Sequence, residues 1–258
     1  AAKQYRAWHK HFPHLCRPIQ MHRPIVGTGG QRLLKSAQKY DSYYAQTEIK
    51  LQINENRLTE NELPLSDSVG KTELIYEPAF AIDLQVFIHK RLQQLTAQGC
   101  QRLEDKMSHH SSTHITLTSG KQIEFDLLIL AVGSQLQKFA PQFNLTYEGG
   151  SLLQLPTLSH KDAYSINGIH LTPNARGESV VGSTRWTGSP PSILECQNTL
   201  IDSTKAILKA DKVLIPGTIW RGTRCIYPHD RLPICGRVPN ISQVAILGAL
   251  GNKGLLWG

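Results

Sequence analysis

The chain has 258 residues, of which 40% are hydrophobic, 7% aromatic and 19% charged, enough to bury one large core or two interleaved ones. Charge is too dilute and apolar content too high for a disordered chain, and no apolar run approaches the roughly 20 residues of a membrane-spanning helix. Five scattered cysteines (Cys16, Cys100, Cys196, Cys225, Cys235) and a polar, His- and Lys-rich start argue against a secreted disulfide framework and a signal peptide, so a cytoplasmic protein is expected.

The net charge of +8 is local. Residues 1–50 hold nine Lys/Arg against only Asp41 and Glu48, whereas the remaining 208 hold nineteen against eighteen. Within the basic segment, Tyr5, Trp8 and Phe12 recur at helical spacing, predicting a surface helix that ends at Pro13. Residues 31–50 repeat the pattern with Leu33, Leu34, Ala37, Tyr40 and Tyr44, and residues 52–74 read as loops with a short strand. Asp83 is a good N-cap for a helix carrying Val86, Phe87, Leu92 and Leu95, with Gly99 as its stop.

A hairpin then turns at Ser119-Gly120 between Ile115/Leu117 and Ile123/Phe125. Leu127–Val132 is a continuous apolar run closed by Gly133, the pattern of a strand buried on both faces. Residues 151–185 alternate short strands with turns at Pro173-Asn174 and Arg176-Gly177, predicting an antiparallel sheet. Residues 192–210 predict an amphipathic helix, and Val244–Leu247 a strand that enters the loop Gly248-Ala-Leu-Gly251-Asn252-Lys253-Gly254.

Such a strand and glycine-rich loop can bring backbone N–H groups against an electron-rich ligand edge, although many βα turns share the pattern. The histidines His9, His11 and His14 with Cys16 do not converge on one helix face, and Pro13 interrupts them, so no metal site is expected there. His109, His110 and His114 read as an ordinary polar loop.

Taken together, Arg224…Asp230-x-x-Pro233-x-x-Gly236 and Leu250-Gly251-Asn252-Lys253-Gly254-Leu255 resemble the C-terminal flavin-binding signature of the FAD-dependent D-amino-acid-oxidase-like superfamily. Other segments resemble its landmarks in the expected order. These are Pro78–Asp83 with the following helix, Phe125–Ser134 with its Ala131-Val132-Gly133 ending, and Gly168–Pro173 with Val181–Thr184. The resemblance implies a mixed α/β fold, in which an FAD-binding Rossmann-like domain is interleaved with an antiparallel-sheet substrate domain. Residues 1–74 and 146–220 would belong to the substrate domain, and 75–145 and 221–258 to the flavin domain.

The implied activity is FAD-dependent oxidation of a C–N bond in an amino acid or secondary amine to an imine. Arg224 would anchor the substrate carboxylate, or else form a structural salt bridge, with Asp230 as partner. His170 would assist at the carboxylate or amine, or serve as a strand histidine at a domain interface. Gly133, Gly248, Gly251, Asn252, Lys253, Gly254 and Leu255 would line the flavin, with Lys253 supporting the reduced ring or remaining a solvated loop lysine. Cys225-Ile-Tyr227 is similar to the segment where some sarcosine oxidases attach flavin covalently, but a buried inert thiol is the favoured reading.

The sequence departs from the family at its start. No Gly-x-Gly-x-x-Gly is present, and Gly27-Thr-Gly-Gly30 follows no apolar strand. The expectation is therefore a piece that needs an N-terminal FAD-binding unit to hold the cofactor tightly. Two alternatives stay open: the oxidase half of a tRNA wobble-uridine-modifying enzyme, for which Cys225…Asp230-x-Leu232-Pro233 and Gly236-Arg-Val-Pro239 speak, and a non-catalytic remnant or partner subunit.

Overall fold

The computed structural model describes residues 2–39, 49–55, 63–209 and 211–251. Of the helix expected over 31–50, residues 31–39 are helical, residues 40–48 lie outside the described residues, as do Asn252, Lys253, Gly254 and Leu255, and Lys50 already belongs to a strand. The chain opens with α1 (Ala2–His11), β1 (Cys16–Pro24), α2 (Gly27–Lys39), β2 (Lys50–Asn54) and β3 (Glu73–Ile82). Next come α3 (Leu84–Ala97), β4 (Met107–His110), β5 (His114–Leu117), β6 (Gln122–Glu124), β7 (Leu128–Leu130) and the short α4 (Leu136–Phe139). The order continues with β8 (Thr146–Ser159), β9 (Ala163–Ile166), β10 (Ile169–Pro173), β11 (Glu178–Gly182) and α5 (Ile193–Lys205). It closes with β12 (Ile219–Ile226), β13 (Ile234–Val238) and β14 (Ile241–Gly248). No helix among the described residues is long and apolar enough to cross a membrane.

Two compact units divide these elements: Ala1–Leu92, Gly150–Thr184 and Pro191–Arg221 form the first, and Gln93–Gly149, Arg185–Pro190 and Gly222–Gly258 the second. An eight-stranded sheet in the order β12-β8-β11-β10-β9-β1-β3-β2 is the frame of the first unit. The β8–β11, β11–β10 and β10–β9 ladders are antiparallel, as the alternation over 151–185 predicts. β1 is antiparallel to β3 and meets β9 in a short parallel pairing at Met21↔Ala163 and His22↔Tyr164. β1 and β2 are both antiparallel to β3, which lies between them, so the helix that the Gly27–Gly30 segment opens stands between two parallel strands that are not hydrogen-bonded to each other, unlike the neighbouring strands of a dinucleotide-binding βαβ unit.

The core of this unit follows the period-two rule. Leu153 and Leu155 on β8, Tyr164 and Ile166 on β9, Leu171 on β10 and Val181 on β11 point inward and pack together. Against them lies α5, whose Cys196, Leu200 and Thr204 are buried at four-residue spacing. A capping box starts that helix: Glu195 N–H donates to Ser192 Oγ at 3.2 Å, and Ser192 N–H donates to Glu195 Oε2 at 2.7 Å. Apart from that core, the aromatic residues of α1 pack against β3 and α3, with Tyr5 stacked on Phe80 at 5.6 Å and Trp8 tilted against Phe87 at 5.0 Å. Asp83 caps α3 as expected, accepting from Val86 N–H at 3.2 Å.

In the second unit, β13, β14 and β7 form one small sheet and β4, β5 and β6 another. Its core gathers Leu130, Leu136, Leu145, Cys225, Val244 and Ile246. β7 pairs in parallel with β14, from Val244↔Leu128 to Ile246↔Leu130. The expected double-sided burial of Leu127–Val132 is corrected here. Only Leu128–Leu130 is strand, and while Leu130 enters the core, Ile129 on the opposite face is 58% exposed. A continuous apolar run shows that a strand can be covered on both faces, not that both are covered.

Candidate functional site

The site begins on β12. Within this strand, Arg224 projects a half-buried guanidinium and the next residue, Cys225, turns into the core of the second unit. Arg224 Nη2 donates to Glu148 Oε2 at 2.8 Å, and Arg231 Nη2 donates to the other oxygen of the same carboxylate at 3.2 Å. One carboxylate thus serves two guanidiniums. The hydrogen bond from Arg224 leads in holding the Glu148 carboxyl below its ordinary pKa, with Arg231 adding to it against the opposing effect of burial. Asp230 is not Arg224's partner; its carboxylate accepts Leu232 N–H at 2.8 Å within the turn that follows β12.

Two expected cofactor residues meet around Cys225. Its thiol donates to the carbonyl of Gly133 at 3.2 Å, and its own carbonyl accepts from Gly251 N–H at 3.3 Å. Ile226 bridges Leu250 in an antiparallel pair. Gly133 and Gly251 both take left-handed φ values, +54° and +55°. An added Cβ would find open space at Gly133 and only Ile226, 3.8 Å away, at Gly251. Gly248 differs: a Cβ there would collide with the buried side chain of Leu136, so this glycine serves close packing of β14 on α4.

Backbone turned outward without side chains at Gly133 and Gly251 suits the approach of a flat aromatic ring edge. The described residues therefore fit a flavin at those two positions. The buried Cys225 thiol, closed over Gly133, is a core group of the second unit.

His170 lies in the first unit on β10, exposed and opposite Gly182 of β11. Among the other histidines, His9 directs Nδ1 to the Cys16 carbonyl at 2.7 Å, and His110 directs Nε2 to the Phe139 carbonyl at 3.0 Å. No group of three His, Cys, Asp or Glu residues among the described residues could hold a metal ion.

Sequence reasoning missed Glu148 and Arg231. Glu148 stands 76 residues before Arg224 in a segment with no motif of its own. The first unit also holds an unexpected charged cluster. His22 Nδ1 lies 3.2 Å from Glu73 Oε2, and Nε2 lies 3.9 Å from Asp162 Oδ2, while the ring stacks on Tyr164 at 4.9 Å.

A family model described as FAD dependent oxidoreductase (DAO) matches residues 3–258. No curated protein matches the chain. Among solved structures, glycine oxidase from Geobacillus kaustophilus superposes with a TM-score of 0.79 at 14% identity, over 99% of this chain and 74% of that one. Iminodiacetate oxidase from Chelativorans sp. BNC1 gives 0.77 at 18% identity, over 98% and 75%. L-alpha-glycerophosphate oxidase from Mycoplasma pneumoniae, whose structure holds FAD, gives 0.76 at 15% identity, over 98% and 74%. At these identities the likeness is one of fold, and the chain spans about three quarters of each neighbour's length.

Proposed function

The chain belongs to the FAD-dependent oxidoreductase family, and from that premise we propose that it oxidises a C–N bond of an amino acid or secondary amine to an imine. The observation that carries this reading is the half-buried Arg224 guanidinium on the strand whose next residue ties together Gly133 and Gly251. An arginine held there can fix an acidic substrate by its planar fork, placing the carbon between acid and amine at the glycine-lined backbone. FAD, when bound, supplies the two-electron acceptor for the hydride leaving that carbon. Gly133 and Gly251 present backbone to the ring edge, and Arg224 holds the substrate's acidic end. The amine nitrogen loses a proton as the imine forms, and water then hydrolyses the imine to a carbonyl compound and an amine.

The domain roles follow. The second unit, with residues 252–255, is proposed to hold the flavin, and the sheet of the first unit, with His170, to serve the substrate. An N-terminal dinucleotide-binding unit is part of the same proposal. Leu95 of α3 and Ile129 of β7, both in the second unit, are exposed apolar residues that such a unit could cover.

The decisive experiment adds amines anaerobically to the complete FAD-loaded polypeptide and follows flavin bleaching. Bleaching by amino acids or N-alkyl amino acids is expected; bleaching by hydroxy compounds alone would overturn the C–N assignment. A second reading, a tRNA-borne amine as substrate, draws on the basic helices: Arg6 and Lys10 on α1, and Arg32, Lys35 and Lys39 on α2, are exposed. It requires tRNA binding that weakens steeply with salt, and flat salt dependence would remove it.

A further inference from the structure

Glu148 occupies the group that a substrate acid would need. Resting on the assignment of Arg224 as carboxylate anchor, we propose that Glu148 is a displaceable counter-ion. It neutralises Arg224 in the empty site and moves onto Arg231 when a substrate carboxylate arrives, which makes it a specificity-determining residue.

Charge balance is the first argument. Two guanidiniums around one carboxylate leave a residual charge of about +1, and a second carboxylate brings the cluster to neutrality. Glu148 is ionised at neutral pH, since both arginines hold its pKa down, so the count stands under working conditions. Asp230, the nearest acid in sequence, is committed to the Leu232 N–H of its own turn.

Geometry is the second argument. Glu148 takes a hydrogen bond from Arg224 through one nitrogen rather than through a two-bond fork, and a single charged bond exchanges more readily than a bidentate pair. Its other oxygen already touches Arg231, so the transfer needs a change of partner and not a new path. Arg231 is 65% exposed and free of core packing around its head group, so it can follow the carboxylate as it shifts. Its backbone is fixed: Arg231 takes φ +58° in a turn closed by its N–H to the Tyr227 carbonyl at 3.0 Å. A neutral substrate offers no charge to exchange and leaves the pair closed, so the arrangement selects for acids.

The test titrates the FAD-loaded complete polypeptide with acetate, and with acetamide as the uncharged control, by calorimetry. Glu148→Gln should tighten acetate about 3- to 10-fold, the range of a partly exposed ion pair, and leave acetamide unchanged. Arg231→Ala should weaken acetate about 2- to 5-fold, because Glu148 then has nowhere to go, and this effect should vanish in the Glu148→Gln background. Acetate affinity that is unchanged or weaker in Glu148→Gln overturns the proposal, as does full additivity of the two substitutions. If Glu148→Gln does not fold, Glu148→Asp reads the same competition: its carboxylate is withdrawn by one methylene, and acetate should again tighten. Arg224→Lys separates the layers. If acetate binding survives it undiminished, the anchor reading itself fails; if binding is lost there but indifferent to Glu148, only the counter-ion role fails.

Discussion

His22 should make the stability of the first unit depend on pH in the range where an ordinary histidine is already neutral. Its ring sits in β1 between β3 and β9, with Glu73 3% exposed on one side and Asp162 on the other. Burial pulls the imidazole pKa down, but the carboxylates of Asp162 and Glu73 outweigh it and raise the pKa from 6.5 to about 9. The contact at 3.2 Å makes Glu73 the closer partner; Asp162 at 3.9 Å acts as a charge across a gap. Glu73 also accepts from Asn54 at 3.2 Å, and His160, buried beside the cluster, bonds the Asp162 carbonyl at 2.6 Å and Ser179 Oγ at 2.9 Å.

At 1.36 kcal/mol per pH unit, a rise of this size amounts to about 3 kcal/mol, and water reaching the Asp162 side reduces the expectation to about 2 kcal/mol. The pKa is raised on folding, so the contribution is complete below the unfolded value of 6.5 and is lost as pH climbs to about 9. His22→Gln removes the titration and leaves Glu73 buried without a counter-charge at every pH. Its destabilisation, measured by urea unfolding, should therefore be about 2 kcal/mol larger at about pH 6 than at about pH 9.5. A cost independent of pH, or an NMR titration placing His22 below about pH 7, refutes the reasoning.

Three other predictions test separate layers of the structure. Gly248→Ala should destabilise the protein by about 1–3 kcal/mol in urea unfolding, because the new methyl meets the enclosed Leu136 side chain. Ser192→Ala should cost about 1 kcal/mol by the same measurement, since it removes one arm of the capping box on α5. Arg224→Lys should raise KM for acidic amines about 10- to 100-fold with a smaller change in kcat, because lysine keeps the charge but loses the planar fork; equal loss in both constants points to a structural role.

What the sequence shows of this fold is governed by how local the cause is. Asp83 announces the start of α3 because the oxygen that caps it and the N–H it satisfies are three residues apart. The alternation through Leu153, Leu155, Tyr164, Ile166, Leu171 and Val181 is readable because each strand carries its own period. Glu148 is silent in the sequence because its meaning depends on strand pairing that brings it to Arg224 across 76 residues. The His22 cluster is hidden for the same reason, its two acids standing 51 and 140 residues further along the chain. Ile129 shows the complementary limit: hydrophobicity records what a surface can tolerate, while its covering depends on what is placed against it.

The loop after β14 carries a sign of its role that does not depend on its glycines. Ala249, between Gly248 and Leu250, takes φ +52°, a left-handed conformation that costs a residue with a Cβ about 1 kcal/mol or more. Its methyl is fully enclosed in the core of the second unit, so packing holds the backbone in that state. Glycine at this position would remove the steric penalty, yet it would also remove the methyl that pins the turn. Gly251, two residues on, then adopts its own left-handed conformation and directs its N–H back to Cys225, beside the thiol that closes on Gly133. Strain held in place by a buried methyl, two residues before the unhindered backbone of Gly251, is what a loop requires if its backbone is to be presented in one fixed position. A connection that merely carried the chain away from β14 could relax it.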